Sequence, residues 1–157
     1  MTSPKVLSRT APSTVAATTI VSSLLTVQTS GAGFTDLTAE AAKFLRDAHG
    51  REGALTLFIR HTSASLTIQE NADPSVLGDL MTALNRLAPE NAGWTHDAEG
   101  PDDMPAHIKT MLTSTSLQVP VLQGALALGI WQAIYLVEHR ARAHGREIVL
   151  QFIGAGA

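Results

Sequence analysis

Hydrophobic and polar residues follow one another along this chain with periods that predict an alternation of strands and helices. Residues 16–29 are dense in Val, Ile, Leu and Thr, which favours a strand, and glycines at 31–33 indicate a turn. Apolar positions then recur with helical spacing as far as about His49, with Asp36 or Thr38 as the candidate cap. The first third of the chain therefore predicts a strand followed by an amphipathic helix.

The middle of the chain predicts two more strands and a second helix. Residues 54–60 form a compact apolar run, and residues 64–68 alternate between apolar and hydroxyl side chains. Asp73 and Pro74 mark a helix start, because Asp caps free amide groups and proline suits the first turn. Apolar residues then recur on one face of this helix, at Val76, Leu77, Leu80, Met81, Leu84 and Leu87.

The last third of the chain reads as a short helix opened by Pro105 and a series of strands. Four strands are predicted, at residues 117–122, 125–128, 130–138 and 146–153. Gln123-Gly124 predicts a hairpin turn between the first two. Strands outnumber helices and most connections are short, which predicts an α+β fold: a two-layer sandwich whose mixed, mostly antiparallel sheet is covered by helices.

Composition narrows the class of protein. The chain has 157 residues, of which 45% are hydrophobic and 16% charged, so we expect one domain over 16–157 after a mobile Ser-, Thr- and Pro-rich tail at 1–15. The net charge of -3 offers no electrostatic case for nucleic acid, and no apolar run reaches the length of a membrane span. Cysteine is absent, which excludes disulfides and thiolate metal sites; we expect a cytoplasmic protein.

A polar segment at residues 94–116 interrupts this apolar chain and contains two of the six histidines, four carboxylates and a run of hydroxyls. His96 and His107 lie on either side of a Gly-Pro turn, which lets the loop bring both imidazoles together. His61 follows the predicted buried strand at 54–60. Neutral imidazole is a metal ligand, so these three histidines are candidate ligands of a metal with an open position. A hydrogen-bonded structural role stays open for each.

Other polar residues have two readings each. Asp103 either caps the helix at Pro105 or orients a histidine. Ser116, within the hydroxyl run, suits a phosphate. Glu138 ends an apolar strand, where it is either an active-site carboxylate or half of an ion pair with Arg140 or Arg146.

Long motifs in a fixed order carry a family resemblance. They are His-Thr-Ser-Ala-Ser-Leu-Thr-Ile-Gln-Glu-Asn from residue 61 with Asp-Pro at 73–74, Glu-Gly-Pro-Asp-Asp-Met-Pro-Ala-His-Ile-Lys from 99, and Gly-Ile-Trp-Gln and Glu-His-Arg within 129–140. Together they resemble the YjbQ family over residues 16–154. The resemblance implies an α+β sandwich assembled as a homotrimer, a polar site near subunit boundaries, and a weak activity of the secondary thiamine-phosphate synthase type.

That activity would join hydroxymethylpyrimidine pyrophosphate to thiazole phosphate and release pyrophosphate, with a divalent metal, Zn²⁺ or Mg²⁺, taking up the charge. The expected metal ligands are His61, His96 and His107. The expected catalytic residues are Glu138, Asp103 and Glu70. The expected substrate- or phosphate-binding residues are Asn71, Ser116, Gln132, Trp131 and Arg146. Two alternatives stay open: metal-assisted hydrolysis of a small phosphorylated metabolite, and a trimer that binds a metabolite or metal without turnover.

Overall fold

The computed structural model of this protein describes residues 8–156, which form eight strands and three helices. The strands are β1 (Thr19–Gln28), β2 (Gly33–Asp36), β3 (Gly50–Ile59), β4 (Ala64–Glu70), β5 (Ser116–Leu122), β6 (Ala125–Leu126), β7 (Gln132–Glu138) and β8 (Gly145–Gly156). The helices are α1 (Thr38–Asp47), α2 (Pro74–Leu87) and α3 (Asp103–Leu112). Residues 1–7 of the predicted tail lie outside the described residues, and residues 8–18 form neither helix nor strand.

The strands form two antiparallel sheets. The larger has the order β1-β8-β3-β5-β6, and the smaller has the order β2-β7-β4. The first and last strands, β1 and β8, are neighbours in the larger sheet, where Thr19 pairs with Gly154 and Gln28 with Gly145. The α+β class is confirmed, and the antiparallel strands are divided between two sheets because the pairing is set by long-range contacts rather than by neighbours in the sequence.

The core lies between the two sheets and includes one face of α1. Leu55 and Leu57 of β3, Ile134 and Leu136 of β7, and Leu45 of α1 are buried in one cluster. In β3 the buried residues alternate with less buried ones, because successive side chains of a strand point to opposite faces. In β7 both faces are buried from Ala133 to Glu138, as its run of apolar residues predicts. The helix predicted to reach about His49 is confirmed as α1, Thr38–Asp47, with its apolar stripe inward.

Helix α2 begins as the sequence predicts but buries less than its pattern suggests. Asp73 Oδ1 accepts a hydrogen bond of 2.9 Å from Ser75 N, and Pro74 occupies the first turn. No residue within α2 is fully buried, and Leu87 is 67% exposed. A cavity of about 320 Å³ between α2, α3 and the smaller sheet explains part of this exposure: its lining includes Leu80 and Leu84.

Several element boundaries differ from those predicted. Residues 33–36, expected within a turn, form β2 and pair with β7. The return strand after the Gln123-Gly124 turn, where both residues have positive φ, is limited to Ala125–Leu126. Strand β7 begins at Gln132, so Trp131 lies just before it and is 60% exposed. Among the described residues, no helix combines the length and the apolarity that a bilayer crossing requires.

Candidate functional site

Three side chains of the polar segment converge at the start of α3. His96 Nε2 lies 2.8 Å from Asp103 Oδ2, and His107 Nε2 lies 3.5 Å from the same oxygen. The two imidazole rings have centroids 5.3 Å apart. One ligand atom from each of the three residues lies within 4.8 Å of the others, a grouping that could hold a metal ion. The expected meeting of His96 and His107 is therefore present.

Local structure explains this convergence. Asp103 and His107 are four residues apart in α3, so they share one face of the helix. His96 reaches them through a turn at Gly100, whose φ of +112° favours glycine. Gly100 N donates to the Asp97 carbonyl at 3.1 Å, and the Gly100 carbonyl accepts from Asp103 N at 3.3 Å. The loop and the helix start are thus one hydrogen-bonded unit.

A backbone carbonyl sets the tautomer of His107. Its Nδ1 is 2.8 Å from the Thr62 carbonyl oxygen, and because a carbonyl only accepts, Nδ1 carries the proton. Thr110 Oγ1 lies 3.2 Å from the same oxygen, while its shorter hydrogen bond of 2.7 Å goes to the His107 carbonyl. In the neutral ring, Nε2 then presents its lone pair toward Asp103. This is the arrangement by which proteins orient metal-binding histidines.

Arg140 holds the carboxylates of the loop in place. Its guanidinium contacts Asp103 Oδ1, donates from Nε to Asp102 Oδ2 at 3.1 Å and donates to the Glu99 carbonyl at 2.7 Å. Asp102 Oδ2 also accepts from Ala141 N at 2.8 Å, and its side chain makes no capping bond to α3. Burial alone would lower the pKa of Arg140, but the bond to Asp102 and the surrounding carboxylates raise it. Arg140 therefore stays charged and keeps Asp103 oriented.

Glu138 is built into a buried ion pair. Its two oxygens accept from Arg146 at 2.7 and 2.5 Å, and further bonds come from Thr29 Oγ1 and the Arg140 amide. Glu138 is 1% exposed. Burial alone would raise the pKa of its carboxyl, but the hydrogen bonds from Arg146 and the Arg140 amide, with the charge of Arg146, lower it. These contacts favour the ion-pair reading of Glu138 over the catalytic one, and they occupy the guanidinium expected to bind phosphate.

His61 lies outside the cluster of His96, Asp103 and His107. Its Nε2 accepts a hydrogen bond of 2.8 Å from Glu147 N, so that nitrogen is already used. Burial, followed by the charge of Arg146, lowers the pKa of His61. Arg146 also donates to Ser63 Oγ at 3.0 Å, which fixes the turn that carries the Thr62 carbonyl. His61 and Arg146 thus make hydrogen bonds beside the cluster rather than within it. Asp103 takes the position in the cluster that was expected of His61.

The remaining predicted residues are not brought to this cluster. Glu70, Asn71, Trp131 and Gln132 lie where β4 ends and β7 begins, while Thr62 precedes β4 at its other end. The six residue steps of β4 span about 20 Å. Ser116 is exposed and pairs with Phe58 in the larger sheet. Within one chain, the predicted site residues therefore form separate groups.

Two buried polar groups were missed by the sequence analysis. Lys109 is 6% exposed and donates from Nζ to Asn85 Oδ1 at 2.7 Å, and burial lowers its pKa. His139 is 2% exposed, and its Nε2 lies 2.8 Å from Ser65 Oγ. For Lys109 a signal was present, because it shares the buried face of α3 with Pro105 and Ala106. For His139, the strand of apolar residues immediately before it was the available sign of burial.

The separations in the cluster suit a small cation. Metal–ligand distances of about 2.0–2.2 Å in tetrahedral geometry place ligand atoms about 3.4 Å apart. The observed 2.8 and 3.5 Å lie on either side of that value. Asp103 is 3% exposed in its side chain, whereas His96 and His107 are 51% and 31% exposed, so the cluster is open on the imidazole side. A cation held by these three ligands would keep positions open for water or a substrate.

The fold and this cluster define a class: a small α+β protein of two antiparallel sheets with a His-Asp-His group at the start of a helix. A family model described as UPF0047 protein YjbQ-like matches residues 23–155, so the chain belongs to the YjbQ family. The UPF0047 protein sll1880 of Synechocystis is 43% identical over 132 residues, 83% of this chain and 90% of that protein. The UPF0047 protein YjbQ of Escherichia coli O157:H7 is 42% identical over 131 residues, covering 83% and 95%.

Solved structures agree with the fold. An uncharacterized YjbQ/UPF0047 protein from Clostridium acetobutylicum superposes with a TM-score of 0.77 at 32% identity, covering 82% of this chain and 98% of that one. The hypothetical protein APE1520 from Aeropyrum pernix K1 gives 0.80 at 26% identity, covering 86% and 99%. The names of these four relatives state no reaction and no ligand.

Proposed function

We propose that this protein is a metal-dependent enzyme acting on a small phosphorylated metabolite, with His96, Asp103 and His107 as the metal ligands. One observation supports this most directly: the Thr62 carbonyl accepts a hydrogen bond from Nδ1–H of His107, which leaves Nε2 directed at the Asp103 carboxylate. With the second imidazole beside the same buried carboxylate, this orientation brings three candidate ligand atoms together.

The donor set favours a transition metal over Mg²⁺. Two imidazole nitrogens and one carboxylate oxygen are ligands typical of Zn²⁺, while Mg²⁺ prefers oxygen ligands and retains several waters. When bound, the cation would polarise a phosphoryl oxygen or lower the pKa of a bound water. Asp103 would supply the negative charge, Arg140 would keep that carboxylate in place, and the exposed His96 ring would border the position open to a substrate.

Two reactions fit this site. The family resemblance favours synthesis of thiamine phosphate, as a weak or side activity, in which departing pyrophosphate needs a cation beside it. Hydrolysis of a phosphorylated metabolite is favoured by a separate observation, the exposure of 51% and 31% for the two histidine side chains, because an open site admits water. Binding of a metabolite or metal without turnover is the outcome expected if neither reaction occurs.

Metal content is the first test. Protein purified in the presence of Zn²⁺ should retain about one ion per chain by elemental mass spectrometry, and His107→Ala and Asp103→Asn should lose it. His49→Asn is the matched control, since His49 is exposed and its φ of +51° is tolerated by Asn. His61→Ala distinguishes the two candidate ligand sets. If this variant retains the metal, the ligands are His96, Asp103 and His107; if it loses the metal, the set of His61, His96 and His107 is favoured instead. Absence of metal from every protein would contradict the proposal.

Activity is tested next with the wild type and His107→Ala. One assay follows coupled thiamine phosphate synthesis, and the other follows phosphate release from a panel of phosphorylated metabolites. A rate that requires the metal and disappears in the variant supports the reaction concerned. Equal rates in both proteins would contradict an enzymatic role for the cluster.

We also propose that the chain assembles as a homotrimer in the cytoplasm. The support is the outer face of the larger sheet, where Ile20, Leu24, Phe58 and Ile153 are between 42% and 67% exposed. Register places Leu24 and Phe58 on either side of Val149, so the apolar residues form continuous rows. Exposed apolar rows of this kind indicate a protein contact. Light scattering after size-exclusion chromatography should give the mass of three chains, and Phe58→Glu should lower it.

A further inference from the structure

A second cavity lies at the end of the smaller sheet opposite the His96, Asp103 and His107 cluster. Its volume is about 520 Å³, and it is lined by Ile68, Gln69, Glu70, Ala72, Trp131 and Gln132. The Trp131 side chain, at 60% exposure, presents much of its indole to solvent. An exposed tryptophan in a cavity is a typical anchor for a planar ligand.

The charge of this cavity is negative. Among the described residues that line it, Glu70 is the charged one, and none is Lys, Arg or His. A phosphate bound here would face a carboxylate with no cation to offset it. For Trp131 and Gln132, expected to bind substrate or phosphate, the lining therefore does not favour a phosphate, and a positively charged ligand suits them better.

Hydrogen bonds fix the two strand ends that carry Glu70 and Trp131. Glu70 pairs with Gln132 at the end of the β4–β7 ladder. One residue further, Asn71 N donates to the Trp131 carbonyl at 3.0 Å. Gly129 N donates to Gln132 Oε1 at 2.7 Å, which closes the turn that carries Trp131. The cavity is thus formed by fixed strand ends before any ligand arrives.

We propose that this cavity binds a small organic cation, with its charged ring or quaternary nitrogen on the Trp131 indole and Glu70 as the counter-charge. The face of an indole attracts cations, and a nearby carboxylate adds to that attraction. The site uses none of the residues of the metal cluster. Its test is therefore independent of the proposed enzymatic function, and either can fail alone.

Three probes that share one pyridine ring distinguish charge from shape: the cation 1-methylnicotinamide, neutral nicotinamide and anionic nicotinate. The protein contains two tryptophans, so Trp94→Phe leaves Trp131 as the single indole emitter. We expect 1-methylnicotinamide to quench this emission along a saturating curve and to bind about fivefold tighter than nicotinamide, with nicotinate weakest. Isothermal titration of the wild type gives the same ranking without depending on the Trp94 variant.

A second experiment removes the negative charge of Glu70. Glu70→Gln should weaken 1-methylnicotinamide about two- to fivefold and leave nicotinamide unchanged. Glu40→Gln is the matched control, because Glu40 is an exposed carboxylate on α1 and the change in net charge is the same. Equal affinities for the three probes, quenching that rises linearly without saturation, or tightest binding of nicotinate would overturn the proposal.

Discussion

Replacing Glu138 by Gln leaves the Arg146 guanidinium charged in a site with almost no water. The two side chains are 2% and 4% exposed, and both carboxylate oxygens accept from Arg146. Removing one member of such a buried pair costs about 3–5 kcal/mol, a large part of the roughly 5–15 kcal/mol by which a domain is stable. For a chain of this length we expect the Tm to fall by roughly 6–20 °C.

The assay is urea unfolding followed by circular dichroism at one fixed protein concentration, so that association contributes equally to each variant. Glu147→Gln is the matched control, because Glu147 pairs with Arg60 at 3.2 Å on the surface, with 41% and 53% exposure. Its loss should cost less than about 1 kcal/mol. If Glu138→Gln cost no more than this control, the pair would not be desolvated as described, and the catalytic reading of Glu138 would regain support.

The ion pair of Glu138 and Arg146 also predicts how the stability of the protein changes with pH. The pKa of Glu138 is lowered in the folded protein, so its contribution is complete above the unfolded carboxyl pKa of about 4.3 and is lost as the pH falls through the folded pKa. In Glu138→Gln, this acid-dependent loss of stability should disappear from the plot of urea midpoint against pH.

Further substitutions test other parts of the structure. Burial, and then the charge of Lys109, lowers the pKa of His139 to about 4. The free energy of unfolding should therefore be highest above about pH 6.5 and fall by roughly 3 kcal/mol as the pH is lowered to 4. In His139→Gln, this pH dependence should disappear from the plot of urea midpoint against pH. Arg140→Gln should weaken metal binding about 10- to 100-fold in competition with a chelator, while Arg142→Gln, at an exposed neighbour, should not. Gly154→Ala would place a methyl group against a carbonyl oxygen of β3 and should lower the free energy of unfolding by about 1–3 kcal/mol in the same assay. Gly78→Ala, which meets open space on α2, should instead raise it, by at most about 1 kcal/mol.

Features that depend on adjacent residues were predictable from the sequence. The Asp73-Pro74 helix start and the Gln123-Gly124 turn each follow from side-chain and backbone preferences within a few residues. The partition into two sheets was not predictable in this way, because β1 pairs with β8 across more than a hundred residues. Strand pairing of that range depends on the whole set of strands rather than on any one of them.

In the candidate site, too, contacts between residues close in the sequence were predictable and contacts between distant residues were not. His96 and His107 were predicted to meet because a short loop with a Gly-Pro turn joins them, and they do. Trp131 was grouped with them through motif order in the sequence, which contains no information on which end of a sheet each motif occupies. His61 was grouped with them because it follows a buried strand, and its Nε2 instead accepts from Glu147 N. Arg140 was considered as a partner of Glu138, and its side chain instead binds Asp102 and Asp103. Charge complementarity alone did not distinguish between these carboxylates.

The acceptor that sets the His107 tautomer belongs to the backbone of residue 62, and this has a consequence for genetic variation. Every amino acid carries the same carbonyl, so codon changes at position 62 leave the acceptor in place. The Thr62 side chain is dispensable for this purpose, and a deep mutational scan should show broad tolerance there. Sensitivity should appear instead at Ser63 and Arg146, whose contact at 3.0 Å fixes the path of the turn. A position at the centre of the site can thus look neutral in a survey of variants, while its structural neighbours show the constraint.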